Sequence, residues 1–207
     1  QDIYSGGSAS GTVLNGGSQY IHSGSAISTA VNSGSHQAIY SGGSASDTTL
    51  NYGSYQAIYS GGSASDTTLN TGANQFIFSS GSASDTVLSG GSQFVNSGGL
   101  TTSTTVNSGS DQYIYSGASA SGTTVNHGGS QHVSGGSASG AVLSGGSQFI
   151  FSGGLTTSTT VNSGSDQYIY SGASASGTTV NSGGNQHVSS GGSAISTTVS
   201  SGGTLWV

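Results

Sequence analysis

The 207-residue chain contains no lysine, arginine, glutamate, proline, cysteine or methionine. Without a basic side chain it cannot neutralise phosphates, which excludes nucleic acid and anionic membrane surfaces as partners. The absence of cysteine excludes a disulfide framework. No apolar run approaches the length of a membrane span, and no basic segment followed by an apolar run marks a signal peptide.

Glycine and serine dominate instead, with 39 and 49 residues, and they recur in a repeat. The segment Gln37 to Tyr55, QAIYSGGSASDTTLNYGSY, is followed by a near-copy from Gln56 to Asn74. We predict one repetitive unit over residues 1–207. Its copies begin at Gln1, Gln19, Gln37, Gln56, Gln75, Gln93, Gln112, Gln131, Gln148, Gln167 and Gln186, with a partial copy at Leu205. Because both chain ends fall inside a repeat, we expect a fragment of a longer protein.

Three inward-facing positions recur in each copy. Ile or Val stands two residues after the glutamine, a small residue such as Ala45 follows, and a T-x-L/V pair closes the set. This spacing predicts three short strands per copy, separated by glycine-rich turns that absorb the changes in repeat length. The sequence therefore predicts an all-β, right-handed parallel β-helix with about 19 residues per coil and 11 to 12 coils.

Acidic residues offer no catalytic centre. Asp47, Asp66 and Asp85 share one turn position in successive copies and are expected to form a solvated column, whereas Asp111 and Asp166 lie at another corner, three coils apart. Glycoside hydrolysis needs two carboxylates about 5–10 Å apart in a cleft. We therefore expect no enzyme, no catalytic residue and no cofactor.

The five histidines are spread along the chain at His22, His36, His127, His132 and His187. We interpret them as exposed and structurally neutral, because metal ligation requires them much closer together. No metal site is expected.

Aromatic residues recur on the outward side of the first strand. One column holds Tyr4, Tyr40, Tyr59, Phe78, Tyr115, Phe151 and Tyr170, and the column two residues earlier holds Tyr20, Phe76, Phe94, Tyr113, Phe149 and Tyr168. Two interpretations stay open. The rings form a ladder that shields the strand, or the first column is a contact face for glycans or for a second copy of the rod.

Serine is concentrated at two turns. Ser5, Ser23, Ser41, Ser60, Ser79, Ser97, Ser116, Ser152, Ser171 and Ser190 follow the first strand, and Ser33, Ser108, Ser163, Ser182 and Ser201 occupy N-S-G turns. Serine is a common turn former, and it is also an acceptor for O-linked sugars. N-linked modification is excluded because no asparagine is followed by x-Ser/Thr.

The repeat consensus is nearly complete in NSGGNQHVSSGGSAISTTV, from Asn181 to Val199. It resembles the passenger repeats of the AIDA-type self-associating autotransporter adhesins, and the resemblance covers the whole chain. It implies a passenger displayed at the bacterial cell surface, anchored in the outer membrane through a translocator barrel outside this chain, or secreted. It further implies host-cell adherence, autoaggregation through other copies of itself, biofilm formation, and covalent O-linked heptose added to the turn serines by a dedicated heptosyltransferase.

Two alternatives remain. A purely structural β-solenoid spacer would need neither sugar nor contact face. An ice-binding solenoid would need regular T-x-T arrays, and here the position between the threonine and the buried Leu/Val varies, as at Val13, Ala30 and Thr49.

Overall fold

The computed structural model describes residues 1–207 and consists of strands joined by tight corners. Each coil contributes one strand to each of three sheets, and every strand pairs in parallel with its equivalents in the coils below and above. The prediction of an all-β parallel solenoid with about 19 residues per turn is confirmed. The structure has no helix long and apolar enough to cross a bilayer.

The strands of the first sheet carry the Q-x-I/V pattern, those of the second the S-A-S pattern, and those of the third the T-x-L/V pattern. The first sheet comprises Asp2–Ile3, Ser18–Ile21, His36–Ile39, Tyr55–Ile58, Asn74–Ile77, Ser92–Val95, Asp111–Tyr115, Ser130–Ser134, Ser147–Phe151, Asp166–Ile169, Asn185–Val188 and Thr204–Trp206. The second comprises Ser8–Ser10, Ser25–Ile27, Ser44–Ser46, Ser63–Ser65, Ser82–Ser84, Leu100–Thr102, Ser119–Ser121, Ser137–Ser139, Leu155–Thr157, Ser174–Ser176 and Ser193–Ile195. The third comprises Val13–Leu14, Ala30–Val31, Thr49–Leu50, Thr68–Asn70, Val87–Ser89, Thr105–Val106, Thr124–Asn126, Val142–Ser144, Thr160–Val161, Thr179–Val180 and Thr198–Val199.

Identical residues stack in register through the rod. Gln56 pairs with Gln37 below and Gln75 above, and even the shortest copy keeps this register, with Gln131 opposite Gln148. The Ile/Val and Ala columns of the first two sheets form one apolar cluster of 19 buried residues, and the Leu/Val column of the third sheet forms the main part of a second of 10. Length differences therefore reside in the corners, as the sequence predicts.

Glutamine and threonine side chains occupy the rest of the interior. Each glutamine from Gln19 to Gln186 is fully buried, and its Nε2 donates to the Oε1 of the glutamine one coil below at 2.6–2.8 Å. Threonine hydroxyls donate to the same Oε1 atoms, for example Thr123 to Gln112 at 3.1 Å. No buried side-chain nitrogen or oxygen lacks a partner, so the ladder adds hydrogen bonds without an unpaired polar group.

The corner between the second and third sheets, the second corner, has a left-handed residue in every coil. Asp47, Asp66 and Asp85 have φ of 51°, 53° and 51°, and serine or glycine takes this position in the other coils. A positive φ is tolerated best by glycine and by short polar side chains such as aspartate. The exposure predicted for these aspartates is confirmed, and backbone conformation accounts for which residue types occur there.

The first corner follows the first sheet and the third corner follows the third sheet. In most coils both are four-residue turns with a residue of positive φ, usually glycine, at the third position. At the first corner Gly42 has φ of 75° and the Gly43 N–H donates to the Tyr40 carbonyl at 2.8 Å. Gly43 is required for lack of space, since a Cβ there would lie 2.5 Å from the carbonyl oxygen of Ile21 in the coil below.

Three third corners are one residue short, and each is compensated from the next coil. The shortened turns contain Gly16, Gly90 and Gly145, and their N–H groups donate to the buried hydroxyls of serines in the coil above, at 2.7–2.8 Å. The accepting serines are Ser35, Ser110 and Ser165. Each coil above a shortened corner carries N-S-G-S in its own third corner, where N-S-G-G is common. The shortened corner and the serine of the next coil therefore occur together.

Candidate functional site

The outward side of the first sheet carries two continuous stacks of flat rings. The first contains Tyr4, His22, Tyr40, Tyr59 and Phe78, with successive centroids 4.7–5.4 Å apart. The second contains Phe76, Phe94, Tyr113, His132, Phe149, Tyr168 and His187 at 4.7–5.2 Å, and Trp206 extends it at 6.3 Å. We call this surface the aromatic face. Its ring spacing matches the spacing of strands in a sheet.

The predicted contact residues do not form one unbroken ladder. Tyr4, Tyr40, Tyr59 and Phe78 belong to the first stack, and Phe151 and Tyr170 form a separate pair at 5.1 Å. Tyr115 has no ring directly above or below it, and its one aromatic neighbour is Tyr113, beside it in the same coil at 6.3 Å. Asn96 and Ser134 take the ring's place in the coils on either side of Tyr115.

The interpretation of the histidines as exposed and neutral is wrong for four of the five. His22, His132 and His187 are half-buried members of the stacks, and His36 stacks on Tyr55 at 4.9 Å. Only His127 is exposed, at a third corner. Imidazole is flat and aromatic, so it replaces a tyrosine or phenylalanine within a stack. The alignment of histidine with Tyr and Phe columns in the sequence was the available signal.

Asp111 and Asp166 begin first-sheet strands, which corrects their predicted place at a corner. Each faces a histidine of the coil above: Asp111 Oδ1 lies 3.2 Å from His132 Nε2, and Asp166 Oδ1 lies 3.4 Å from His187 Nε2. No group of three or more potential metal-ligating side chains occurs. These pairs hold the imidazole rings in the stack.

Burial on the aromatic face raises the pKa of three tyrosines above its ordinary value of 10.0. Desolvation is the largest cause for Tyr40, Tyr113 and Tyr168, and neighbouring Tyr59, Asp111 and Asp166 respectively raise the pKa further. The phenols therefore stay protonated at neutral pH and remain hydrogen-bond donors at the surface.

All fifteen candidate acceptor serines are exposed. Because the third corner precedes each first-sheet strand and the first corner follows it, the two serine columns border the aromatic face on both sides. Ser23 and Ser79 differ from the others in their own positive φ, 60° and 36°. Tyr52, Thr71 and His127 take the serine position at three third corners.

The glycine of the next coil lies directly over many of these serines. A Cβ at Gly61 would lie 2.9 Å from the Ser41 Oγ, and one at Gly191 would lie 2.7 Å from the Ser171 Oγ. The same relation holds at the third corner, at 2.6 Å between Gly183 and Ser163. The S-G repeat thus keeps the space above many of these hydroxyls free of side chains.

A family model described as adhesin of bacterial autotransporter system, probable stalk, matches residues 39–91, 58–110 and 144–203. The chain belongs to the AIDA family of autotransporter adhesins. It is also similar to the crystal structure of a TibC-catalysed hyper-glycosylated TibA fragment, with 40% identity, a TM-score of 0.86, and coverage of 100% of this chain and 90% of that one. No curated protein matches the chain.

Membership of the AIDA family confirms the resemblance seen in the repeats. The chain is an autotransporter adhesin passenger, surface-displayed or secreted, and its family and fold are structural rather than enzymatic.

Proposed function

We propose that this AIDA passenger is an O-glycosylated adhesin whose turn serines accept heptose from a dedicated heptosyltransferase. The observation that carries the proposal is the register of the fifteen exposed serines, which gives a transferase nearly the same S-G substrate in coil after coil. The hyper-glycosylation of the similar TibA fragment by TibC supports it. An outward hydroxyl below a glycine accepts a sugar without disturbing the core.

Peptide mapping after co-expression with the transferase tests this proposal. We expect repeated additions of one heptose mass on serines such as Ser41, Ser116 and Ser171, and none on the buried Thr48 or Thr67. Modification scattered over buried threonines, or no modification, would overturn it.

The chain provides an internal control within a single turn. Ser108 is exposed, whereas Ser110, two residues on, is buried and its Oγ accepts the Gly90 N–H at 2.7 Å. Ser108 should carry sugar and Ser110 should not. Equal modification of both would show that the folded corner plays no part in acceptor choice.

We further propose that the passenger is displayed at the outer membrane and mediates host-cell adherence, autoaggregation and biofilm formation through the aromatic face. Repeated weak contacts along a rigid rod add through multivalency, so weak single-site affinity suffices. Exposed rings such as Tyr4 and Tyr59, 64% and 38% accessible, favour a contact role over shielding alone.

Replacing Tyr40, Tyr59, Phe78 and Tyr115 by serine should reduce bead aggregation and cell binding while circular dichroism stays unchanged. Tyr52→Ser is the matched control, because Tyr52 is 72% exposed at a third corner, outside the face. Full aggregation by the folded quadruple variant would favour the spacer function instead.

A further inference from the structure

The column of the aromatic face that starts at Tyr4 lacks a ring at two coils beside Tyr115. Ser134 pairs with Tyr115 below and Phe151 above, and Asn96 lies between Phe78 and Tyr115 in the same register. We call the two resulting gaps the Ser134 slot and the Asn96 slot. Tyr115 is the wall that they share.

The strand spacing gives each slot a thickness of about one ring. Adjacent rungs are about 4.8 Å apart, so rings two rungs apart are separated by about 9.6 Å. Rings on consecutive rungs elsewhere on the face are 4.7–5.4 Å apart. A single ring entering a slot would therefore stack on both walls at the spacing the rod already uses.

The slots are open on the outside and closed at the side. Tyr115 and Phe151 are each 38% exposed. The neighbouring column closes the side, with Tyr113 6.3 Å from Tyr115 and His132 6.2 Å from Phe151. The faces of Phe78, Tyr115 and Phe151 that look into the slots have no ring stacked on them. The upper face of Tyr170 is also unstacked, because Ser189 lies above it, but no second ring wall faces it there.

We propose that each slot binds one neutral pyranose ring, sandwiched between two aromatic faces. The C–H groups on the two sides of a pyranose are weakly positive and pack against the negative faces of aromatic rings. Its hydroxyls lie at the ring edge, where Asn96 or Ser134 forms the floor. The inference names a ligand class for the adhesion proposed above and rests on that function for its biological role.

The floor residues favour a sugar over an aromatic side chain of a second copy. The Asn96 amide makes only a 3.4 Å contact with the Phe94 carbonyl. Sugar hydroxyls would pair with Asn96 and Ser134, whereas a phenyl ring would bury both groups without partners, which is costly.

Saturation-transfer NMR with methyl β-D-glucopyranoside at tens of millimolar tests the proposal on the unmodified chain. We expect transfer to the C–H protons of the sugar. Filling both slots with Asn96→Phe and Ser134→Phe should reduce the transfer at least tenfold and raise the melting temperature, since the stack becomes continuous. Tyr52→Ala is the matched control and should bind as the unchanged chain does.

Tyr115→Leu provides a second route if the filled variant does not fold. It removes the shared wall and keeps an apolar side chain, and it should also abolish transfer. The proposal is overturned if the unchanged chain shows no transfer, if a folded filled variant or Tyr115→Leu retains it, or if Tyr52→Ala loses it equally. Loss of self-association in the filled variant with sugar transfer intact would assign the slots to a second copy.

The two proposals fail separately in these assays. Sugar transfer without cell adherence would contradict the adhesive function alone. Adherence without sugar transfer would overturn the slots and leave the adhesive function standing.

Discussion

Replacing one glutamine in the middle of the internal ladder tests how the rod is stabilised. Gln112 donates to the Gln93 Oε1 at 2.7 Å, and its own Oε1 accepts from Gln131 at 2.7 Å and from Thr123 at 3.1 Å. Gln112→Leu removes all three hydrogen bonds. It leaves the Gln131 amide and the Thr123 hydroxyl buried with a donor unpaired.

Each unpaired donor costs about 1–3 kcal/mol, which gives about 2–6 kcal/mol for the pair. Burial of the apolar leucine side chain offsets about 1 kcal/mol of this cost. We therefore expect a net loss of several kcal/mol. Because the coils form a linear array, this lesion also divides the rod into two units, and the urea transition followed by circular dichroism should broaden as well as shift.

The end of the ladder supplies the matched control. Leu205 already takes the glutamine position in the coil above Gln186, so the Gln186 Oε1 accepts only from Thr197, at 2.9 Å. Thr197 is half-buried and can turn to water. Gln186→Leu should therefore cost about 1 kcal/mol. Equal shifts for Gln112→Leu and Gln186→Leu would refute the view that continuity of the ladder, rather than burial alone, stabilises the rod.

Two further predictions concern the corners and the tyrosines. Gly154→Ala should destabilise the rod by a few kcal/mol, because the added Cβ would lie 2.4 Å from the Val133 carbonyl oxygen. Gly17→Ala should be nearly neutral, because a Cβ there meets no atom within 4 Å. Thermal melts of the two variants compare these costs. The raised pKa of Tyr113 and Tyr168 means that their contribution to stability is complete below the ordinary tyrosine pKa of 10.0 and is lost as pH rises through the higher folded-state pKa. Replacing both by phenylalanine should flatten the fall in urea midpoint above pH 10, and an unchanged alkaline slope would contradict this assignment.

The columns that define the fold were predictable because each buried position keeps the same type of side chain from coil to coil. Ile58 and Leu69 recur as Ile/Val and Leu/Val in the equivalent positions of the other coils. Glycine-rich corners with a register-preserving length change also followed from the sequence. Handedness stays a prediction.

Features that depend on backbone conformation or on neighbouring coils were not predictable from one repeat. The second corner is occupied by Asp47, Ser28 or Gly11 in different coils, and only their shared positive φ explains the mixture. Ser110 resembles any other turn serine until the shortened corner at Gly90 is placed one coil below it. The spacing of the histidines along the chain bears only on metal ligation, whereas the flat imidazole ring decides the place of each histidine in the stack.

The hydrogen bonds between coils run along the rod axis, and this gives the passenger a mechanical property. Gly42 donates to Gly61 and Gly34 to Gly53, so even the corners are bonded axially to the next coil. When the two chain ends are pulled apart, the load falls on the bonds of the terminal coil, because the chain leaves the rod there. Coils should then unwind one at a time, each shortening the rod by about 4.8 Å and releasing about 65 Å of extended chain. A stalk of this design lengthens under shear flow in discrete steps. When the force falls, the released chain rewinds by pairing with the exposed strands of the coil below.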